Sequence, residues 1–471
     1  MLFNSLIFIL FALLFFAVWP YARVRNNRRW ACLIVASFIF YGWWDWRFLF
    51  LIIGSGLLDF GAGLGMERFP QRRRLLLVIS ILGNVGSLMV FKYSGFVARN
   101  LDALCALFGF NVHVASQVPH FMLILPIGIS FYTFQSMSYT IDIYRGQLRP
   151  TRNVLHFFAY LSMFPQLVAG PIIRARDLLP QLLTVRPSTE QERWDGMKLI
   201  IQGYFKKVVI ADNLAPLVTG AFSAATLSDS TSYWWFIMIA FAFQIYCDFS
   251  GYTDIARGLA KWMGYEFALN FNHPYISTSM REFWTRWHIS LSSWFRDYVY
   301  IPLGGSKVGT WRSHVNMWLT MLISGLWHGA AWHFVIWGGL HALFLSVERI
   351  TKWPEVIKRI IGGNMLALVL VNVQVLVAWV FFRAETMEQA MYIIRTMFSF
   401  SGALRSGLGH DDTIYLAIAI LSELCVFLHL GTKPLVSQKV QRALSPIAWV
   451  LVIVACIYLR GPGSEFIYFQ F

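Results

Sequence analysis

Residues 316–347, NMWLTMLISGLWHGAAWHFVIWGGLHALFLSV, place His328 within one of the most apolar parts of a very apolar chain. Ionisable side chains at membrane depth are costly, so they usually mark a proton, ion or substrate site. A second dense motif at residues 283–305, FWTRWHISLSSWFRDYVYIPLGG, carries another histidine, His288, among aromatic residues. Two histidines in such settings predict chemistry performed inside a bilayer.

The composition indicates a membrane protein. Of the 471 residues, 57% are hydrophobic and only 13% are charged, whereas a soluble globular chain carries roughly 25% charged residues. A spanning helix needs about 20 mostly apolar residues. The candidate windows are 2–19, 30–53, 75–90, 121–137, 233–247, 318–347, 365–382, 414–430 and 447–459. Because some windows could split, we expect an all-α polytopic membrane protein with roughly ten to twelve membrane helices.

The positive charge is distributed as a topology signal. The net charge is +15, and basic clusters at 23–29, 68–74 and 145–152 each lie beside an apolar window. Such clusters mark cytoplasmic ends of membrane helices. We therefore expect a retained first helix with its N-terminus outside the cytosol. No nucleic-acid binding is expected, since no DNA- or RNA-reading motif accompanies the charge.

A metal site or disulfide framework is not expected. The five cysteines are scattered and include no CxxC pair. His333 and His341 follow His328 at i+5 and i+13, and neither Asp nor Glu lies between Asp297 and Glu348. A zinc site would favour i, i+4 spacing or a carboxylate partner. We expect no metal and no bound cofactor.

As one continuous helix with about 100° per residue, the 283–305 motif has two different sides. One stripe is aromatic and contains Trp284, Trp287, His288, Leu291, Trp294, Phe295 and Tyr298. The opposite side contains Glu282, Arg286, Ile289, Ser293 and Asp297. The pattern predicts an amphipathic helix that ends near Pro302. An alternative interpretation is an interfacial helix in which His288 is only hydrogen-bonded among headgroup-level tryptophans.

General base catalysis is the chemistry that a neutral buried histidine does best. Such a base could take the proton from a hydroxyl that attacks a thioester or ester carbonyl, which typically contributes about 10²–10⁴ in rate. His288 could polarise the carbonyl or hold the tautomer of His328. The alternative for either histidine is a hydrogen-bonded core residue. The chain has no GxSxG elbow, so a serine acyl-enzyme is not expected.

The two histidine motifs resemble those of the membrane-bound O-acyltransferase family. The similarity is to its bacterial branch of alginate O-acetyltransferase membrane subunits and D-alanyl-lipoteichoic acid transferases. Three further segments resemble that branch: NSLIFILFALLFF at 4–16, YLSMFPQLVAGPIIRARDLLPQL at 160–182 and FIYFQF at 466–471. The resemblance covers nearly the whole chain.

The resemblance implies a fold and a set of site residues. The fold would be one membrane domain, residues 1–471, with a motif-bearing core at about 155–350 and helices in a ring around a central tunnel. The essential histidine of the WHG motif would be His328. His288, where eukaryotic relatives usually have asparagine, would have a supporting role. The remaining motif residues would be candidates for lining the substrate tunnel: Trp287, Trp327, Arg286 and Asp297.

The resemblance also implies a function. The protein would lie in the bacterial inner membrane and take acetyl from a cytosolic donor, acetyl-CoA or an acyl carrier. It would present acetyl to a periplasmic polysaccharide acetyltransferase subunit, which modifies an exopolysaccharide such as alginate or cellulose. Peptidoglycan O-acetylation by the same relay is the alternative.

Two other classes of function stay open at this point. A non-catalytic transporter or flippase could use discontinuous helices around Gly128, Pro165, Gly170 and Gly304 as a substrate path. A scaffold could only recruit the periplasmic subunit. A transporter should tolerate loss of His328 and should not cleave acetyl-CoA, and a scaffold should tolerate loss of both histidines.

Overall fold

The predicted all-α architecture is confirmed. A computed structural model describes residues 1–184, 187–402, 410–429 and 438–467, except for the side chains of residues 410–412, 425–429 and 438–444, and this part of the chain contains helices and no strand. Of the terminal FIYFQF motif, the last four residues lie outside the described residues. The chain divides into two compact units: residues 1–193 with 259–268, and residues 194–258 with 269–471.

The first unit contains the N-terminal helices. They are α1 (Leu6–Ala22), α2 (Asn26–Asp45), α3 (Leu49–Arg68), α4 (Arg73–Leu88), α5 (Ser94–Leu107), α6 (His120–Leu123), α7 (Ile129–Tyr144), α8 (Val154–Leu161), α9 (Phe164–Leu167) and α10 (Ala175–Leu183). Short 3₁₀ turns join several of them, and a π-helical segment, Met89–Tyr93, continues α4 into α5.

Two predicted windows in this unit, 30–53 and 121–137, are not single α-helices, and the first passes from α2 through the 3₁₀ turn Trp46–Phe48 into α3. The window 121–137 is interrupted, because α6 ends at Leu123 and α7 begins only at Ile129. Pro126 disfavours helical backbone in the residue before it. Gly128 adopts a left-handed conformation with φ 74°, which glycine tolerates without steric cost. The sequence between the two helices therefore forms a turn.

A buried carboxylate joins three helices of the first unit. Asp59 on α3 is fully buried and accepts hydrogen bonds from Ser80 at 2.6 Å and Asn84 at 2.8 Å, both on α4. Ser136 on α7 donates to the same carboxylate. Polar side chains buried between membrane helices need such partners, so this cluster fixes the packing of α3, α4 and α7.

The second unit contains both histidine motifs. Its helices are α11 (Glu190–Tyr204), α12 (Asp212–Phe222), α13 (Thr231–Met263), α14 (Met280–Arg286), α15 (Ile289–Phe295), α16 (Thr310–His328), α17 (Trp332–Thr351), α18 (Trp353–Ile357), α19 (Gly363–Arg383), α20 (Met387–Met397), α21 (His410–His429) and α22 (Gln438–Tyr458). Helices α11 and α13 contribute residues to both units. π-helical segments follow α11 at Phe205–Ala211 and α15 at Arg296–Tyr300.

Several helical segments are suited to crossing a membrane. Within the described residues, four are long and apolar enough to do so: Asn26–Arg68, Pro70–Leu107, Trp332–Thr351 and Gly363–Arg383. Three shorter apolar helices accompany them: Leu6–Ala22, Thr413–Leu424 and Ser445–Tyr458. The protein is therefore a multi-pass membrane protein. The number of ten to twelve spans and the ring around a tunnel stay predictions.

Helices α16 and α17 pack with their backbones in close approach. A Cβ added to Gly325 on α16 would overlap the carbonyl oxygen of Phe334, and one added to Gly338 on α17 would overlap that of Met321. Small residues at membrane helix interfaces permit such close packing. This contact sets the position of the C-terminal end of α16, which carries His328.

A buried ion cluster holds the C-terminal segment in the second unit. The Lys207 ammonium lies 2.8 Å from Asp212 and 2.7 Å from Asp248, and it donates to the carbonyl of Ser464 at 3.0 Å. The Ser464 hydroxyl donates to Asp212 at 2.5 Å, and the Ile467 N–H donates to Asp248 at 2.6 Å. Opposite charges and backbone groups thus satisfy one another away from solvent.

Candidate active site

His328 is the last residue of α16 and is buried, with 5% of its surface exposed. The helix ends there because Gly329 takes up extended backbone. The imidazole meets Trp327 and Trp337 edge-on, with ring centroids 4.9 Å away in each case. The ring of Phe382 on α19 lies 5.3 Å away. The helix end and this aromatic wall hold the imidazole in a largely apolar pocket.

The prediction of one continuous helix through the 283–305 motif is wrong. Helix α14 ends at Arg286 and α15 begins at Ile289. Between them, His288 adopts the left-handed conformation, with φ 41° and ψ 55°. Non-glycine residues in this region are uncommon, although histidine is among the types enriched there. The predicted aromatic stripe is therefore not one continuous helix face, because the helix is interrupted at His288. The His288 side chain is fully buried.

The beginning of α14 follows from local sequence. The Ser279 hydroxyl accepts a hydrogen bond from the Glu282 N–H at 3.0 Å, and the Glu282 carboxylate accepts from the Thr278 N–H at 2.9 Å. This reciprocal arrangement is closely related to a capping box, which satisfies the free N–H groups of a first turn. It fixes where the motif enters its first helix.

The beginning of α15 depends on a residue distant in sequence. Asn270 accepts from the Ile289 N–H through its backbone carbonyl at 2.8 Å. Its side-chain oxygen accepts from the Ser290 N–H at 3.2 Å and from the Ser290 hydroxyl at 2.9 Å. Asn270 is fully buried and therefore clamps the segment that directly follows His288. Sequence reasoning missed it, because a single asparagine in a loop carries no signal of this pairing.

A second contact holds the other side of the break. The Asn272 N–H donates to the Arg286 carbonyl at 2.9 Å, and the Arg286 guanidinium donates to the Asn272 carbonyl at 3.0 Å. The chain at 270–272 thus binds the residues on both sides of Trp287 and His288. The left-handed conformation of His288 is held from both directions.

Trp327 lies beside both histidines. Its ring centroid is 6.2 Å from that of His288 and 4.9 Å from that of His328. The His288 ring also meets Phe249 on α13 at 4.7 Å. Phe249 in turn contacts Phe466 of the C-terminal segment at 5.7 Å. The structure therefore brings the two predicted histidines into one aromatic cluster.

The other predicted site residues fall into two groups. Trp287 is buried beside His288, with its ring 5.0 Å from that of Trp379. Arg286 pairs with Glu282 at 2.9 Å. Asp297 pairs with Arg296 at 2.7 Å in the π-helical segment after α15. Trp287 and Trp327 thus belong to the aromatic cluster, whereas Arg286 and Asp297 form ion pairs. The polar contacts of Arg286 also fix the backbone around the break.

Two cavities open near this cluster in the second unit. The larger has a volume of about 780 Å³ and carries five basic residues against two acidic ones. The basic residues are Arg281, Arg296, Arg349, Lys352 and Lys358, and the acidic ones are Glu348 and Glu355. The smaller, of about 420 Å³, is lined by Trp284 and Ser324, with Ser324 one turn before His328. The two cavities share lining residues, which are Arg281, Arg296, Tyr300, Met317 and Leu345.

The larger cavity therefore forms a basic mouth next to the smaller, more apolar cavity, whose lining residue Ser324 lies one turn of α16 before His328. Among the described residues, no group of three His, Cys, Asp or Glu side chains is placed to hold a metal ion. The arrangement suits proton transfer by an imidazole next to a bound substrate.

Comparison with known proteins identifies the family. Residues 147–353 match the model of the membrane-bound O-acyltransferase family. The chain is 41% identical to the "Probable alginate O-acetylase AlgI" of Azotobacter vinelandii over 428 residues, covering 89% of this chain and 83% of that protein. Against the protein of the same name from Pseudomonas aeruginosa it is 41% identical over 406 residues, with 85% and 75% covered.

A third relative carries a different name. The chain is 32% identical to the "Peptidoglycan O-acetyltransferase" of Helicobacter pylori over an alignment that covers 93% of this chain and 91% of that protein. The matched segment contains both histidine motifs, and the relatives are covered over most of their length. The chain belongs to the membrane-bound O-acyltransferase family and is an O-acyltransferase.

Proposed function

We propose that this enzyme takes an acetyl group from a cytosolic thioester donor and passes it across the inner membrane for O-acetylation of an exopolysaccharide. His328 acts as the general base. The observation that carries the proposal is the burial of His328 at the end of α16, within an aromatic cluster shared with His288. The basic and apolar cavities beside this cluster support a donor with an anionic head and a narrower arm.

The chemistry is an acyl transfer. His328 takes the proton of an acceptor hydroxyl as its oxygen attacks the acetyl thioester carbonyl. The new C–O bond forms, the C–S bond breaks, and the imidazolium returns the proton to the departing thiolate. His288 supports this step by holding the carbonyl or the orientation of His328. The surrounding aromatic rings exclude water that would otherwise compete as acceptor.

The donor is acetyl-CoA, or an acyl carrier that bears the same pantetheine arm. A mouth with five basic and two acidic side chains attracts phosphate groups. Clusters of arginine and lysine beside membrane helices mark the cytoplasmic side, where acetyl-CoA is available. The enzyme needs no resident cofactor for this chemistry, because the donor itself supplies the activated acetyl group.

The acceptor is a polysaccharide of the alginate or cellulose type, reached through a periplasmic acetyltransferase subunit. Two relatives that are 41% identical over most of this chain are named as probable alginate O-acetylases. Peptidoglycan is the second candidate acceptor, since a relative at 32% identity carries that name. The higher identity favours the exopolysaccharide. A purely transporting role is disfavoured, because the family is one of acyltransferases.

The proposal can be tested in vesicles with a defined orientation. The enzyme is inserted so that the basic mouth of the larger cavity faces the outside of the vesicle. Labelled acetyl-CoA is added outside, and a periplasmic acetyltransferase with alginate is enclosed inside. Label on the enclosed alginate is the expected result. Label on enclosed peptidoglycan fragments but not on alginate would select the alternative acceptor. Donor left uncleaved with every acceptor would contradict the relay.

A further inference from the structure

A third buried histidine in the same unit has polar atoms that the proposed mechanism does not use. His341 on α17 is fully buried, and neither ring nitrogen has a hydrogen-bond partner within the described part of the chain. Its ring stacks parallel to Phe283 at 6.2 Å. Buried polar groups are nearly always hydrogen-bonded, and leaving one unsatisfied destabilises the protein. We therefore expect a bound ligand that forms a hydrogen bond with His341.

Two tryptophans share this property. The Trp284 ring lies 4.9 Å from that of His341, and the Trp337 ring lies 4.7 Å from it. The indole nitrogens of both are buried without a hydrogen-bond partner among the described residues. Each indole N–H is a donor, while a neutral imidazole supplies one donor and one acceptor. We call Trp284, Trp337 and His341 the His341 cluster.

The position of the His341 cluster suggests what it binds. Trp284 lines the smaller cavity of about 420 Å³. At the other end, the Trp337 ring lies 4.9 Å from that of His328. The cluster thus lies between the cavity that we assign to the donor and the base. None of its three side chains carries a formal charge when the imidazole is neutral, so it suits a neutral polar group.

We propose that the His341 cluster binds the amide-bearing pantetheine arm of the thioester donor, a step that rests on the proposed function. A secondary amide has one N–H and one carbonyl. Its N–H can donate to the imidazole nitrogen that lacks a proton, and its carbonyl can accept from an indole N–H. The phosphates stay at the basic mouth, and the arm carries the acetyl thioester towards His328. His341 is accordingly a donor-binding residue rather than a second base.

The test measures donor binding without catalysis. Binding of CoA and of adenosine 3′,5′-bisphosphate, which lacks the arm, is compared in lipid nanodiscs on a His328→Ala background. His341→Phe keeps an aromatic ring beside Phe283 but cannot hydrogen-bond, and Trp284→Phe removes the indole donor while keeping a smaller aromatic ring. His341→Gln keeps a donor and an acceptor. His314→Phe is the matched control, because His314 lies in the second turn of α16, outside the His341 cluster.

The inference predicts that His341→Phe and Trp284→Phe weaken CoA binding about fivefold to tenfold. Binding of the bisphosphate stays unchanged, and His341→Gln and His314→Phe bind CoA as the background protein does. Unchanged CoA binding in His341→Phe, as expected if water alone fills the cluster, would overturn the inference. Equal weakening of both probes would overturn it too. If His341→Phe does not fold, Trp284→Phe decides by the same criteria.

This design separates the two proposals. A background protein that binds no CoA would overturn the inference together with the assigned donor. Acetyl transfer from acetyl-CoA by the wild-type enzyme, with unaltered CoA binding in His341→Phe, would overturn the inference alone.

Discussion

The Asn270 side-chain oxygen accepts hydrogen bonds from both the Ser290 N–H and the Ser290 hydroxyl, at 3.2 and 2.9 Å. Because a backbone N–H can only donate, the amide atom that faces Ser290 must be the oxygen. The contact begins α15 directly after His288 and, together with the hydrogen bond from the Ile289 N–H to the Asn270 carbonyl, holds the left-handed backbone of His288 at this end. The geometry of His288 therefore depends on a residue in a separate loop.

Replacing Asn270 with alanine is predicted to lower both stability and activity. Loss of a helix-capping side chain costs about 1 kcal/mol, and misplacement of a catalytic group can lower rate by about 10²-fold. Thermal unfolding and acetyl-transfer rates in nanodiscs measure the two effects. Asn270→Asp keeps the accepting oxygen but buries a carboxyl group, so its stability should lie between those of Asn270→Ala and the wild type.

The matched control is Asn272→Ala. The hydrogen bonds that Asn272 makes with Arg286 use its backbone, and its side chain is exposed. This variant should match the wild type in unfolding temperature and rate. Equal losses in Asn270→Ala and Asn272→Ala would show that the loop has no specific role in placing His288.

His288 is predicted to support catalysis without being indispensable. His288→Ala should lower the rate about 10- to 100-fold, within the range for loss of one assisting group. His288→Asn should lose less, because asparagine tolerates left-handed backbone and keeps a donor. Steady-state rates of the two variants test this. Full activity in His288→Ala would remove the supporting role, and inactivity in both variants would make His288 essential.

Gly338→Ala is predicted to disturb the packing of α16 against α17. The added methyl group would overlap the backbone of Met321, and overpacking typically costs about 1–3 kcal/mol. The neighbouring Gly339→Ala is the matched control, since its Cβ would meet only Leu322 at 3.7 Å. The unfolding temperature should fall in the first variant and hold or rise in the second. Equal behaviour of both would contradict the close-packed interface.

Lys207→Met is predicted to destabilise the second unit strongly. It would leave the carboxylates of Asp212 and Asp248 buried without their cation, and breaking such a buried pair costs about 3–5 kcal/mol. Lys198→Met removes a partly exposed ion pair with Asp195 and should cost about 0–1 kcal/mol. Unfolding temperatures of the two variants compare them. A loss in Lys207→Met no larger than that in Lys198→Met would show that the cluster contributes little.

The helical class and the grouping of the two histidines could be predicted from sequence. Length and apolarity of the windows are local properties, and they report directly on membrane helices. His328 was evident because a histidine within an apolar run is unusual. Trp327, whose ring lies beside both histidines, directly precedes His328 in the sequence and could therefore be predicted as well.

The break at His288 and the clamp by Asn270 could not be predicted from sequence. A helical projection assumes continuous helix, and the residues of α14 and α15 fit that period well enough to hide the interruption. The conformation of His288 is imposed by hydrogen bonds from a loop almost twenty residues earlier in the sequence. Likewise, the unsatisfied nitrogens of His341 become visible only when α14 and α17 are packed together.

The central claim is that His328 is the base in acetyl transfer. The most direct test is a single-turnover measurement of acetyl transfer from labelled acetyl-CoA in nanodiscs, with a periplasmic acetyltransferase and alginate supplied as acceptors. CoA affinity is determined in parallel for the wild type and His328→Ala. The account predicts that transfer in the variant falls about 10²–10⁴-fold while CoA affinity and unfolding temperature are unchanged. Equal transfer rates in the two proteins would contradict it.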